Sequence, residues 1–339
     1  MKAIYVVKHG AAKEAFAVRE IEKPIPAANQ VLVKVQGFGL NFADVMARKG
    51  MYRDAPPMPS ILGYDVCGTI DTVGKEVTHL KAGDRVAGLT RFGGYAEYAA
   101  LDSRACVKID ENMNTAEATA LATQYCTAWY SAAEMVNLYA GDKVLIHAAA
   151  GGVGTALVQY CVHKGCEIFA TAGSESKLEL LRKAGVQHPI NYTTEQFDEV
   201  IREKTNGQGV DVIFDSVGAG YFKKGVKSLA AGGRIVGFGA ADMSGSKNIF
   251  AQIKGGLAFG IYHPAQFLMS SKALIGVNML RIADNKPQVL QRCFENVIRL
   301  YREGVFRPVT GKIFSVTQIA EAHEYLESRK SVGKISVEW

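Results

Sequence analysis

No stretch of this 339-residue chain gathers its basic residues into a block, although Lys and Arg outnumber Asp and Glu by 39 to 33. Zinc-finger and basic-helix spacings are also missing, so the formal charge of +6 gives no footing for nucleic-acid binding. A mildly basic surface suits small anionic cofactors equally well. The six cysteines (Cys67, Cys106, Cys126, Cys161, Cys166 and Cys293) contain no Cys-x-x-Cys pair and read as reduced thiols of a cytoplasmic protein. Low-complexity segments and internal repeats are absent, and charged residues make up 21%, so long disorder is not expected. The opening Met-Lys-Ala-Ile-Tyr-Val-Val-Lys-His-Gly has neither the apolar length nor the cleavage site of a signal peptide and reads as a first strand. Residues 144–162 come nearest to a membrane span, but glycine and polar residues interrupt them around a tight turn. Burial in an α/β sheet explains them better, and no integral membrane segment is expected.

What is present is a chain that is 48% hydrophobic, enough for two cored domains. Residues 1–123 carry short β patterns: Val31–Val35 alternates, and residues 63–74 and 83–98 space glycines closely among apolar residues, as in a compact barrel. From about Thr115 the rhythm changes to βα units. A helix over 116–136 leads to a strand at 143–147, a helix to His163, a strand at 167–171 and a helix at 176–184. Strand 210–214, helix 221–229 and strand 233–237 follow, with a last strand at 271–277. Strands alternating with helices predict a parallel, doubly wound sheet. A helix over 287–303, a strand at 312–315, a helix over 316–328 and a strand at 334–337 return to the first domain. The expected division is 1–123 plus 280–339 for one domain and 124–279 for the one inserted into it. The apolar, aromatic segment 245–270 is broken by Gly-Gly and Pro. It reads either as cover for the sheet edge or cleft, or as a peripheral lipid-touching surface.

The densest signal is Lys143-Val-Leu-Ile-His-Ala-Ala-Ala-Gly-Gly-Val-Gly-Thr, an apolar strand running through small residues straight into a helix. Gly151, Gly152 and Gly154, with Val153 among them, match the three-glycine dinucleotide turn loosely, but the strand before and the helix after supply its context. A helix starting there offers unpaired N–H groups and a positive dipole end to a pyrophosphate. The next strand ends Ala172-Gly173-Ser174 with no Asp or Glu at its tip, where an NAD-binding chain usually places one. Ser174 and Lys177 supply a hydroxyl and an ammonium suited to phosphate oxygens, and Tyr192 can lean over the same ribose. Glu175 opens the next helix and either caps it or points outward. NADPH is the expected cofactor.

The chain resembles the quinone oxidoreductase (zeta-crystallin-like) branch of the medium-chain dehydrogenase/reductase superfamily along nearly its whole length. The likeness rests on Gly-Phe-Gly-Leu-Asn-Phe-Ala-Asp at 37–44, Gly-Tyr-Asp-Val-Cys-Gly-Thr-Ile at 63–70 and Lys-Ala-Gly-Asp-Arg-Val at 81–86. It extends to Ala-Ala-Ala-Gly-Gly-Val-Gly at 148–154, Phe-Asp-Ser-Val-Gly at 214–218 and Gly-Lys-Ile at 333–335. Val162 departs from the family's turn-helix signature, which often has a basic residue there. Segment 245–270 looks like that of the synaptic vesicle membrane protein group within this branch.

The resemblance implies a Rossmann domain inserted into a GroES-like β-barrel catalytic domain, with the active cleft between them, and homodimers formed by pairing the last sheet strands. It implies hydride transfer from NADPH to a quinone or α,β-unsaturated carbonyl; the alternative is an NADPH-binding protein with a mainly lipid-associated role. It places Asn41 and Asp44 in the cleft, Gln124 and Thr127 beside the nicotinamide, Phe238 and Gly239 in a loop over it, Lys334 at the cofactor, and Tyr52 over the substrate. Zinc-dependent members hold their catalytic ion on Cys, His and Cys or Asp; here Asn41 and Tyr64-Asp65 stand at the first two positions, and no metal is expected.

Overall fold

The computed structural model describes residues 1–241 and 256–339. In chain order the strands are β1 (Lys2–Val6), β2 (Phe16–Glu20), β3 (Gln30–Leu40), β4 (Ser60–Ile61), β5 (Asp65–Val73), β6 (Arg85–Leu89), β7 (Tyr98–Asp102) and β8 (Cys106–Lys108). There follow β9 (Lys143–Ile146), β10 (Glu167–Ala172), β11 (His188–Asn191), β12 (Val210–Asp215), β13 (Leu229–Gly237), β14 (Ala273–Gly276), β15 (Thr310–Ser315) and β16 (Lys334–Glu338). Two compact units result. The first comprises residues 1–126, 279–300 and 308–339; the second comprises 127–278 and 301–307. Residues 301–307, which the sequence reading assigned to the first domain, pack with the second.

The first unit is built on a seven-stranded sheet in the order β15-β16-β3-β5-β6-β8, with β7 also pairing β3, beside a three-stranded sheet β2-β1-β4. Alternation in β3 buries Val31, Val33, Val35, Phe38 and Leu40 with Ile70, Val86, Tyr95, Ile335 and Val337 in one apolar cluster. Helix α1 (Phe42–Arg48) leaves the end of β3 at Asn41.

The second unit is the expected doubly wound sheet, six parallel strands in the order β11-β10-β9-β12-β13-β14. All of its predicted strands form, within a residue or a few at their ends. β11 and the helix Phe197–Lys204 are additions that the sequence reading did not name. The helix Gly152–His163 (α2) follows β9, and Glu175–Lys183 (α3) follows β10. Its core joins Leu145, Phe169, Ile190, Ile213 and Ile235 to Phe197 and Ile201. The expected helix over 116–136 is real but irregular: α-helix Thr115–Ala120 passes into π-helical turns at Leu121–Tyr125 and Tyr130–Glu134. Of the segment 245–270, residues 245–255 lie outside the described residues. Residues 264–270 form a helix with no buried side chain.

Candidate functional site

In the second unit the chain runs β9, β10, β11 to one side and then returns through β12, β13, β14 to the other, so the sheet order reverses between β9 and β12. A crevice outside the carboxyl ends of two such strands is where α/β sheets take nucleotides. The glycine turn lies at one of these ends. Gly151 stands at the N-cap of α2 and no side chain caps the helix, so the N–H groups of its first turn have no side-chain partner. Gly154 permits close packing of helix on strand, because a Cβ there would sit 2.5 Å from the Ala148 carbonyl oxygen. Asp215 ends the neighbouring β12. Its Oδ1 accepts from the N–H groups of Val217 (2.7 Å) and Gly218 (2.9 Å), and burial raises its pKa. Phe238 follows β13, donating its N–H to the Asp215 carbonyl (3.0 Å), and Gly239 lies against Ser216. The structure thus brings the predicted loop at 238–239 to the same sheet edge as the glycine turn.

At the tip of β10 the predicted group also assembles. The Tyr192 ring lies so close over Gly173 that a Cβ at Gly173 would overlap its hydroxyl, and the Tyr192 N–H donates to the Ala172 carbonyl (3.1 Å). Ser174 is the N-cap of α3, with its hydroxyl 3.1 Å from that of Ser176. Lys177, one turn on, is half-buried, and burial lowers its pKa. Glu175 points along the helix surface, where Arg182 Nη1 donates to it at 2.6 Å. The alternative left open by the sequence is thereby settled: this carboxylate does not cap. Tyr192, Ser174 and Lys177 thus lie at the tip of β10, where Ala172-Gly173-Ser174 includes no carboxylate.

The first unit holds a second constellation, all of it polar and nearly all of it buried. Asn41 caps the start of α1, donating its N–H to Asp44 Oδ2 at 2.8 Å, and Asp44 Oδ1 accepts from the Gly63 N–H at 3.2 Å. Asp44 is fully buried, and desolvation pushes its carboxyl up to about 7 despite these bonds. Asn41 Nδ2 donates to Asp65 Oδ2 (2.8 Å), and Lys334 Nζ donates to both Asn41 Oδ1 (3.0 Å) and Asp65 Oδ2 (2.7 Å). Lys334 and Asp65 are both 0% exposed. Lys334, expected at the cofactor, is therefore engaged inside the first unit as the counter-ion of Asp65. A donor-only ammonium on one end of the amide and an acceptor-only carboxylate on the other fix which way Asn41 faces. The pair lies against the backbone of β3, where a Cβ at Gly39 would overlap both the Asp65 carboxylate and Lys334 Cε. Asp65 is a site residue the sequence reading treated only as a failed metal ligand. Gly39, a glycine inside a strand, is the sequence signal that marked a close approach there.

Tyr52 is partly buried, packs edge-to-face on Tyr64 with ring centroids 6.2 Å apart, and has its pKa raised by burial. Phe92 closes the other side of Tyr64 at 5.1 Å. Gln124 lies in the first π-turn and Thr127 in the helical turn after it, both less than a tenth exposed. π-Turns inside helices recur at functional sites.

Comparison with known proteins settles the kinship. Residues 27–111 match the alcohol dehydrogenase GroES-like domain family, and residues 152–295 match the zinc-binding dehydrogenase family. The human synaptic vesicle membrane protein VAT-1 homolog is 35% identical over 94% of this chain and 81% of its own. The chain belongs to the medium-chain dehydrogenase/reductase superfamily. The zebrafish (Danio rerio) VAT-1 homolog is 34% identical over 92% of this chain, which spans 65% of that relative's length. Among solved structures, the Escherichia coli quinone oxidoreductase complexed with NADPH superposes with a TM-score of 0.86 at 27% identity, covering 100% of both chains. The CurK enoyl reductase does so at 0.85 and 28% identity, covering 99% of each. The α/β architecture, with a parallel Rossmann sheet and a GroES-like domain, is borne out.

Zinc is a resident ion in part of this superfamily, and the residues here do not suit it. A catalytic zinc needs three protein ligands. Among the described residues no three His, Cys, Asp or Glu side chains converge. At Asn41 and Asp65 the Lys334 ammonium already occupies the place of a cation, donating to Asn41 Oδ1 and Asp65 Oδ2.

Proposed function

We propose that this medium-chain reductase is a zinc-independent oxidoreductase that uses NADPH to reduce a quinone or an α,β-unsaturated carbonyl. The acid-free cradle of Gly173, Ser174, Lys177 and Tyr192 beside the glycine turn is the observation that carries it. The similarity to a quinone oxidoreductase complexed with NADPH and to an enoyl reductase supports the choice of acceptor.

NADPH, when bound, supplies the hydride. The first-turn N–H groups of α2 at Gly151, Gly152 and Val153 would hold its pyrophosphate, and Ser174 and Lys177 its 2′-phosphate. Of the residues the resemblance assigns to the nicotinamide, Thr127, Phe238 and Gly239 of the second unit would border it, with Gln124 supplied by the first. Asn41 has one Nδ2 hydrogen left after bonding Asp65, and this donor, with the Tyr52 hydroxyl, stabilises charge developing on the acceptor's carbonyl oxygen. Lys334 acts through Asn41 by holding its amide. Asp44 orders the Asn41 turn, and solvent delivers the final proton. Placing the reacting carbons within roughly 3–3.5 Å of each other accounts for much of the attainable rate.

The chain also pairs with a second copy in this reading. β14 is the edge strand of the sheet among the described residues, and Leu274 on it is 37% exposed. Beside it in sequence, Ile261, Leu268 and Met269 are each more than four-fifths exposed. An open ladder next to apolar side chains suits a matching strand better than water. Sedimentation equilibrium distinguishes this from lipid contact: a dimer is expected, whereas a monomer that co-sediments with liposomes in high salt would favour the lipid-associated reading.

The test of activity is oxidation of NADPH with 1,4-benzoquinone and with simple enones. Turnover with at least one class is expected; no turnover with any would overturn the reading.

A further inference from the structure

The C-terminal end of α2 closes on two cysteines. The Cys166 N–H donates to the Cys161 carbonyl (3.0 Å) and the Gly165 N–H to the Val162 carbonyl (3.0 Å), the paired six-to-one and five-to-two bonds of a Schellman turn. Gly165 supplies the left-handed residue that turn needs, at φ +74°. Such a turn brings the side chain just past it onto the side chain one turn back, and the contact is ordinarily between two apolar groups. Here both are thiols. The two thiols interact with each other, and the Cys166 thiol donates to the Tyr139 carbonyl oxygen at 3.7 Å, which fixes where its sulfur sits. The other four cysteines, at 67, 106, 126 and 293, are also buried thiols.

We propose that Cys161 and Cys166 form a reversible dithiol site, closing to a disulfide when a peroxide reaches the turn. A disulfide spans Cα atoms about 4.4–6.8 Å apart, and the backbone bond from Cys166 to Cys161 holds the two residues next to each other across the turn. Cys166 is the attacking sulfur. It is the less deeply buried of the two, 5% exposed against 0% for Cys161, so a peroxide meets it first; the Lys164 ammonium favours its thiolate against the Asp142 and Asp211 carboxylates, and full burial holds the Cys161 proton. The Cys166 thiol gives its proton to solvent; the thiolate attacks one peroxide oxygen, breaking the O–O bond, and becomes a sulfenic acid while the departing hydroxide takes a proton from solvent and leaves as water. Cys161 sulfur then attacks the sulfenic sulfur, a second water departs with the Cys161 proton, and the S–S bond forms. The dithiol loses two electrons and hydrogen peroxide gains them. The turn lies at the opposite end of α2 from Gly151, so the bond leaves the nucleotide turn in place.

The experiment exposes the folded protein to hydrogen peroxide in small molar excess, alkylates it under denaturing conditions and maps it by non-reducing peptide mass spectrometry. Two of the six thiols are expected to disappear as one Cys161–Cys166 cross-linked species, and dithiothreitol should restore both. C161S should give a dimedone-trappable sulfenic acid at residue 166, and C166S should leave Cys161 unoxidised. NADPH affinity, read by fluorescence on the same oxidised and reduced samples, should agree within twofold. Loss of no thiol, indiscriminate loss of all six, or bridging among the other cysteines would overturn the proposal.

Discussion

Lys334 and Lys177 stand at two lysine positions of similar chemistry and opposite setting. Lys334 is sealed in the first unit with its charge matched at 2.7 Å by Asp65, and every partner is part of the protein. Lys177 is half-buried at a strand tip that has no carboxylate. A buried charge matched by an opposite one organises its neighbours, here the amide of Asn41. On the proposed function, the cation beside a hydroxyl at the mouth of the parallel sheet takes the cofactor's 2′-phosphate. If the proposed function holds, changes at the two lysines separate, one acting on stability and the other on nucleotide affinity.

The largest effect is expected where charge is sealed. Removing one member of a buried ion pair strands the other, which costs on the order of 3–5 kcal/mol. Lys334→Met should lower the free energy of unfolding of the chain by that amount in urea titrations. Replacing both partners, Lys334→Met with Asp65→Leu, should recover much of the loss. Equal stability of the single variant and the parent would deny that the pair is buried and matched.

Asp44 sharpens the same contrast through pH. Its folded carboxyl titrates at about 7 against 3.8 for an ordinary one, so the unfolded chain releases the proton first as pH rises. Its contribution to stability is therefore complete below about pH 4, declines as pH climbs towards 7, and is level above that. The span corresponds to at most about 4 kcal/mol. Unfolding free energies of the parent and of Asp44→Asn, measured from pH 4 to 8, should converge or cross in that direction; parallel curves would remove Asp44 as the cause.

At the open cradle the expected effect is smaller and falls on binding. Lys177→Ala should weaken NADPH by about 1.5–3 kcal/mol, the worth of a hydrogen bond to a charged group, and leave NADH unchanged. Equal losses for both nucleotides would take Lys177 out of this role. Smallest of all is the exposed Glu175–Arg182 pair, whose side chains are 71% and 44% accessible. Glu175→Gln should leave stability almost unchanged, and the small difference should shrink further at high salt, as denaturation at two ionic strengths would show.

The same two regions show why some of the site was legible in the residues and some was not. The glycine turn and the tip of β10 are local: strand, turn and helix follow within about thirty residues, and Gly173, Ser174 and Lys177 lie almost side by side in sequence. Tyr192 arrives from the neighbouring strand by a pairing that strand alternation already implies. The buried cluster joins residues 269 and 293 positions apart, a convergence that no spacing encodes. Lys334 was placed by resemblance and found with other partners for this reason. Gly39 was the only local trace of it. β11, whose four residues His188–Asn191 include a proline, gives too short and too mixed a pattern to declare itself as a strand. The π-turns around Gln124 leave helical periodicity nearly intact over their few residues, so the sequence shows a helix and hides its irregularity.

The most direct measurement is a pair of fluorescence titrations of the purified chain, one with NADPH and one with NADH. The cradle at Ser174, Lys177 and Tyr192 requires the phosphorylated nucleotide to bind at least about tenfold more tightly, a difference of about 1.4 kcal/mol. Equal affinities, or binding of neither, would contradict it.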